Sequence, residues 1–269
     1  MKRKHLIFFA IILCLLLASC SFIPPSSLPH VTTPSSTGDE TTTTPSAPST
    51  TYDGPVVTVP STKGVSVMID AGHGEIDPGA LGICEGTTYY EKDINLAVSL
   101  ILRDELLKRG YEVFMIREDD TSLLHGRDNI TEAVARRELG LSLEADLYIS
   151  IHCNSYAGQA RAYGPIIFYN GKANYNSAEF ASELASAVTE RTTALFPSTR
   201  ACRTIRDDDY AVLKIKSMPS FIFEMGFLTD EEDILLLKDA EWQRAMAISI
   251  ADGVDRLCEK KYIKQETTK

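Results

Sequence analysis

Basic residues are scarce in this chain. Lys and Arg number 27 against 37 Asp and Glu, for a net charge of -10. If Lys2, Arg3 and Lys4 leave with the N-terminal segment treated below, the remainder carries about -13 (-10 minus 3). That balance argues against nucleic acid as a partner and against an electrostatic grip on anionic lipid, since both need clustered positive charge. No Cys-x-x-Cys pair occurs, which disfavours a cysteine zinc site. The longest apolar run, LIFFAIILCLLLA, has 13 residues, short of the roughly 20 that span a bilayer. No internal repeat is visible, and histidine is sparse, with five in 269 residues.

That apolar run follows MKRKH and ends within LASC. A basic start, a short apolar stretch and small residues before a cut are the marks of an export signal. The stretch 17–20 resembles a bacterial lipobox, which implies that residues 1–19 are removed and that Cys20 becomes a lipidated N-terminus. Residues 20–62 are Ser-, Thr- and Pro-rich, with TTTTPSAPSTT at their centre. Such a segment has too little apolar surface to offset its ordering entropy and reads as a tether. The chain is therefore expected outside the cytoplasmic membrane, held to it by lipid.

From residue 63 to about 260 the composition is that of one globular domain, followed by a polar tail at 261–269. Strand-like apolar runs (VSVMID, YEVFMIR, DLYISIH, GPIIFYN, SFIFEMG) alternate with segments of helical spacing near 94–110, 125–143, 176–194 and 241–257, with a short helix expected around 208–216. The alternation predicts an α/β fold: a mixed, mostly parallel sheet with helices on both faces. The acidic surface gives no reason to expect assembly, so a monomer is expected. Cys84, Cys153, Cys202 and Cys258 lie in this domain. Paired, they allow three connectivities, and buried thiols are the equal alternative.

In such sheets function gathers at the carboxyl ends of the strands. VMID leads into AGHG with His73, YISIH into CNS with His152, and FIFE into MGF with Glu224, while Glu91 opens the helix of YYEKDINLA. Each residue alone has a plain explanation; Glu91, for instance, is a first-turn acid of the kind a helix dipole favours. Together they suit a catalytic zinc site, for which two imidazoles and a carboxylate are a common ligand set. His73, Glu91 and His152 take the ligand roles and Glu224 that of general base. Asp70 and Asp77 are candidates to orient a liganded imidazole, and Asn154 to hydrogen-bond near the site. His125, in SLLHGRD, reads as a surface residue or cap neighbour.

The segments IDAGHGEIDPGALG, YYEKDINLAVSLILRDELLKRGYEV, IREDD, ADLYISIHCNS and PSFIFEMGFLTDEED resemble, in order, the motifs of the zinc N-acetylmuramoyl-L-alanine amidases of amidase type 3. The likeness spans about 65–257. It implies a fold resembling the zinc carboxypeptidases, Zn2+ held by His73, Glu91 and His152, Glu224 as catalytic glutamate, and peptidoglycan as substrate, cut between N-acetylmuramic acid and L-alanine. The chain departs from the pattern at Glu75, where the family has a second glycine, and at Cys153, where it has alanine. Gly140 and Leu141 replace its Ala-Asn pair. Glu75 is expected to put an extra carboxylate at the rim of the cleft. Two other readings stand beside this one: a zinc peptidase acting on the stem peptide, and an inactive wall-binding lipoprotein.

Overall fold

The structure is a computed structural model that describes residues 56–57, 61–124, 129–158, 161–173, 175–260 and 262–263. The signal segment with Cys20, nearly all of the tether, His125 and most of the tail lie outside the described residues. Among the described residues, no helix is long and apolar enough to cross a membrane.

A seven-stranded sheet forms the centre. Its strands are β1 (Val56–Val57), β2 (Ser66–Ala71), β5 (Glu112–Met115), β6 (Leu147–Asn154), β7 (Ile166–Tyr169), β8 (Arg203–Arg206) and β9 (Ser220–Phe227), in the order β1-β5-β2-β6-β9-β7-β8. β5, β2, β6 and β9 run parallel, β7 returns antiparallel to β9, and β8 pairs parallel with β7. β1 lies antiparallel on the other edge. A separate hairpin joins β3 (Leu81–Cys84) and β4 (Thr87–Tyr90). The helices are α1 (Glu91–Lys108), α2 (Asn129–Ser142), α3 (Ser177–Leu195), α4 (Glu231–Leu237) and α5 (Ala240–Glu259).

All residues of β2 and β9 are buried, as expected of central strands covered on both faces. Alternation along each strand divides the core in two. Val67, Ile69, Ile149, Ile151, Phe221 and Phe223 join the larger cluster with Leu102 of α1, Leu184 of α3 and Ile250 of α5. Met68, Tyr148 and Ile222 face the other way, among Val212 and Leu213, with Leu139 of α2 packed against them. Helices thus cover both faces of a mixed, mostly parallel sheet. At roughly 25 cal/mol per Å2 of apolar area, each fully buried Leu or Ile here contributes about 1.5–3 kcal/mol. α1 ends where Gly110 takes φ 85, the left-handed conformation that commonly stops a helix.

One expectation needs adjusting, and one open alternative is decided. The short helix near 208–216 is a single 3-10 turn over Ala211–Lys214, short as such turns usually are. The four domain cysteines form no disulfide among the described residues: Cys84, Cys153 and Cys202 are thiols, and Cys258 Sγ accepts a hydrogen bond from Tyr111 Oη at 3.4 Å.

Candidate metal centre and its cleft

The central strands β2, β6 and β9 end side by side, and the polar residues foreseen at strand ends meet there. His73 lies two residues beyond β2. His152 sits near the end of β6 and pairs in register with Glu224 of β9. Glu91 is the first residue of α1, whose start is brought over by the β3–β4 hairpin. Two glycines make the approach feasible. A Cβ on Gly72 would enter the His152 ring, and one on Gly79, at φ +66, would lie 2.6 Å from Glu91 Oε2 and 2.7 Å from His73 Cδ2.

His73, Glu91 and His152 each offer a ligand atom, and the three atoms lie within 4.8 Å of one another. Glu91 is 4% exposed. Its Oε2 accepts from Ala80 N at 2.7 Å. Its Oε1 faces His152 Nδ1 at 2.8 Å, His73 Nε2 at 3.1 Å, Cys153 N at 3.1 Å and Asn95 Nδ2 at 3.3 Å. Burial works against a Glu91 charge, but its bonds to His152 and His73 prevail and hold the carboxyl well below the usual carboxylate range. Burial likewise opposes protonation of His73, yet Glu91 and Asp77 raise it to about 9. The Nδ1 of His73 lies 2.7 Å from Asp77 Oδ2.

This donor set fits a divalent cation. Four nitrogens crowd one carboxylate oxygen, more than its two lone pairs serve well. Two imidazoles and an ionised carboxylate are ligands that zinc takes, and cation binding displaces protons such as the one His73 otherwise retains. Asp77 supports the assignment, since ligand imidazoles commonly donate their second N–H to a carboxylate.

Glu224 faces the same cleft and is 9% exposed. Its Oε2 is buried with no hydrogen-bond partner among the described residues. Burial raises its carboxyl to about 7, with Glu91 adding to the rise and the two imidazoles opposing it. A buried carboxyl with an unengaged oxygen, able to gain or lose a proton near neutrality, is suited to moving protons.

The other anticipated residues separate. Asp77 bonds His73, as above. Among the described residues Asp70 bonds no imidazole: its oxygens take Arg136 Nη1 at 2.7 Å, Ser150 Oγ at 2.8 Å and Tyr148 Oη at 2.9 Å. Asn154 lines the cleft, where its Oδ1 accepts from Ser155 N at 2.8 Å. Glu75 is not among the residues lining the cleft; its N–H donates to Asp120 Oδ1 at 2.8 Å and its carbonyl accepts from Lys92 Nζ at 2.9 Å. Asn95, Arg117, Arg136 and Tyr210 escaped sequence reasoning. Asn95 had one local signal, its place four residues after Glu91 on a helix. Arg136 stands four residues after Glu132 on α2, but nothing local marks the bonds that it and Arg117 make to carbonyls distant in sequence.

Residues 67–256 match the Amidase_3 family, described as N-acetylmuramoyl-L-alanine amidase. The uncharacterised protein YqiI of Bacillus subtilis (strain 168) is 35% identical over 194 residues, covering 72% of this chain and 84% of that protein. The germination-specific N-acetylmuramoyl-L-alanine amidase of the same organism is 31% identical over 202 residues, covering 72% and 80%. Among solved structures, the CwlD amidase of Clostridioides difficile, in complex with the GerS lipoprotein, has a TM-score of 0.63 at 32% identity, covering 73% of this chain and 99% of that one. An N-acetylmuramoyl-L-alanine amidase from Clostridium difficile 630 gives 0.64 at 27% identity, covering 74% and 100%.

Proposed function

The chain belongs to the N-acetylmuramoyl-L-alanine amidase family, and on that footing we propose that it is a zinc hydrolase cleaving the amide between N-acetylmuramic acid and L-alanine in peptidoglycan. The observation that carries the metal reading is the convergence of His73, Glu91 and His152 beside the partnerless Oε2 of Glu224. These three residues would hold the ion. Zinc in such a site supplies a Lewis acid that polarises a carbonyl and brings the pKa of water to roughly 7.

The chain's own groups do the rest. Asp77 takes the Nδ1–H of His73 and leaves Nε2 to face Glu91. Ala80 N and Asn95 hold the Glu91 carboxylate in place. Glu224 takes a proton from the attacking water as oxygen bonds to the lactyl carbonyl carbon. It then delivers that proton to the alanine nitrogen as the C–N bond breaks, so the leaving group departs as a neutral amine. The products are a lactyl carboxylate and a stem peptide with a free L-alanine amine. Asn154 and Tyr210, on the cleft walls, are placed to touch the substrate.

The substrate lies outside the membrane, in agreement with an export signal and a lipid on Cys20. Digestion of purified peptidoglycan by the full chain tests the reading. Amidase action releases new L-alanine amino groups without new reducing sugars. Shortened stems would make the protein a peptidase, and an uncut wall would leave only a binding role.

A further inference from the structure

The turn that carries His73 is held from beneath by two buried arginines. His73 has φ 63, a left-handed conformation that residues other than glycine seldom adopt unless their surroundings impose it. Three consecutive carbonyls of the turn are held by side chains. Arg136 Nη1 donates to Ala71 O and Arg136 Nη2 to His73 O, both at 2.8 Å. Arg117 donates to Ala71 O at 2.9 Å and to Gly72 O at 3.0 Å. Asn95 adds a bond to Gly72 O at 3.2 Å while also holding Glu91.

Arg136 is 4% exposed, and its whole fork is engaged. Besides the two carbonyls it meets Asp70 Oδ1 at 2.7 Å through Nη1, and Glu132 Oε1 at 3.2 Å through Nε and 3.1 Å through Nη2. Glu132, four residues earlier on α2, also accepts from Leu123 N and Leu124 N. The guanidinium thereby links the end of β2, the His73 peptide and the segment leading to α2. A lysine ammonium retains the charge but not the planar fork that reaches two carbonyls and two carboxylates at once.

We propose that Arg136 is a positioning residue for the metal centre: by bonding the carbonyls of Ala71 and His73 it fixes the left-handed turn that aims the His73 imidazole at Glu91 and His152. The proposal rests on the zinc reading above. It adds a residue that reaches the ligand His73 through backbone carbonyls rather than through the imidazole.

The test is zinc affinity, measured by chelator competition on the full chain purified in detergent, together with melting of the metal-free protein. Arg136→Lys is expected to weaken zinc binding by about 10–100-fold, the usual effect of losing a group that orients a ligand. Asp70→Asn removes a charge partner of Arg136 but leaves both carbonyl bonds, so it should lower the melting temperature while zinc affinity stays near wild type. Co2+ in place of zinc should give an altered visible spectrum in Arg136→Lys and a native-like one in Asp70→Asn. If Arg136→Lys does not accumulate as folded protein, Arg136→Gln, whose single amide nitrogen cannot serve the carbonyls of both Ala71 and His73, replaces it with the same expectation. Wild-type affinity in the folded Arg136→Lys variant, or in Arg136→Gln where that replaces it, overturns the proposal. So does zinc affinity that merely tracks melting temperature across the variants. A wild-type protein that binds no zinc overturns the site reading itself and this proposal with it.

Discussion

Glu224 is the proton carrier of the proposed reaction. Its burial beside Glu91 lifts its carboxyl from 4.5 to about 7. Glu224→Gln keeps the shape but cannot carry a proton, so kcat should fall by about 10²–10⁴-fold, the usual worth of general acid–base catalysis. Zinc content should be unchanged, which metal analysis of the same preparation checks. A side chain that only filled space at the end of β9 would instead show a lowered melting temperature and near-normal turnover. The pH profile carries the same signature. A base must be ionised to accept the proton, so activity should decline as pH falls through the pKa of Glu224. A bound cation favours the carboxylate and draws that pKa down from about 7, while burial keeps it above the ordinary 4.5. The acidic limb of kcat/KM should lie between these values, and a limb outside them would assign the titration to another group. At the ligands, His73→Ala and His152→Ala should each abolish stoichiometric zinc and leave the circular dichroism of a folded domain. Both imidazoles are partly exposed at strand ends, outside the apolar clusters.

At the scale of elements, the site depends on how closely β2, β6 and α1 approach one another. Gly72 is where β2 passes the His152 ring, and an added methyl there enters the ring itself. Gly72→Ala should therefore displace His152 and cost both zinc and activity while the sheet still forms; a fully active Gly72→Ala enzyme would mean that the loop relaxes at no cost to the site. Glycines flanking His73, ionisable strand ends and an acid opening α1 were all readable, because strand periodicity places residues by local rules. The β3–β4 hairpin was not. LGIC and TTYY are short, and much of their surface faces solvent, so no apolar alternation marks them. β8 is exposed at all four residues and is a strand only because β7 lies beside it. α4 had a readable start in Asp230, which caps it by accepting from Glu232 N and Asp233 N, but its seven residues are too few to show a helical period. The bonds from Arg117 and Arg136 to the carbonyls of residues 71–73 join positions more than forty residues apart, and no local pattern announces such a bond.

Across the whole molecule, net charge and the proposed lipid make opposing demands on where the enzyme works. With the expected signal removed, the chain would carry a net charge near -13 (-10 minus 3) and be repelled by anionic headgroups. Among the described residues, no helix offers an apolar span to hold it. The attachment we propose is covalent lipid on Cys20, a position outside the described residues. Each buried CH2 of an acyl chain contributes about 0.8 kcal/mol, and two chains hold where one is marginal. Attachment by lipid differs from attachment by charge in its response to salt, since the screening length shrinks to about 3 Å at 1 M. The protein should therefore stay with membranes in 1 M salt and leave in detergent. Cys20→Ser should retain the uncut precursor, identified by a mass that includes residues 1–19. Mass spectrometry of the wild-type protein should find a diacylated residue 20 at the N-terminus. Release of the wild-type protein by salt alone, or an unlipidated terminus at another residue, would replace the lipid anchor with a secreted enzyme and leave the catalytic reading intact.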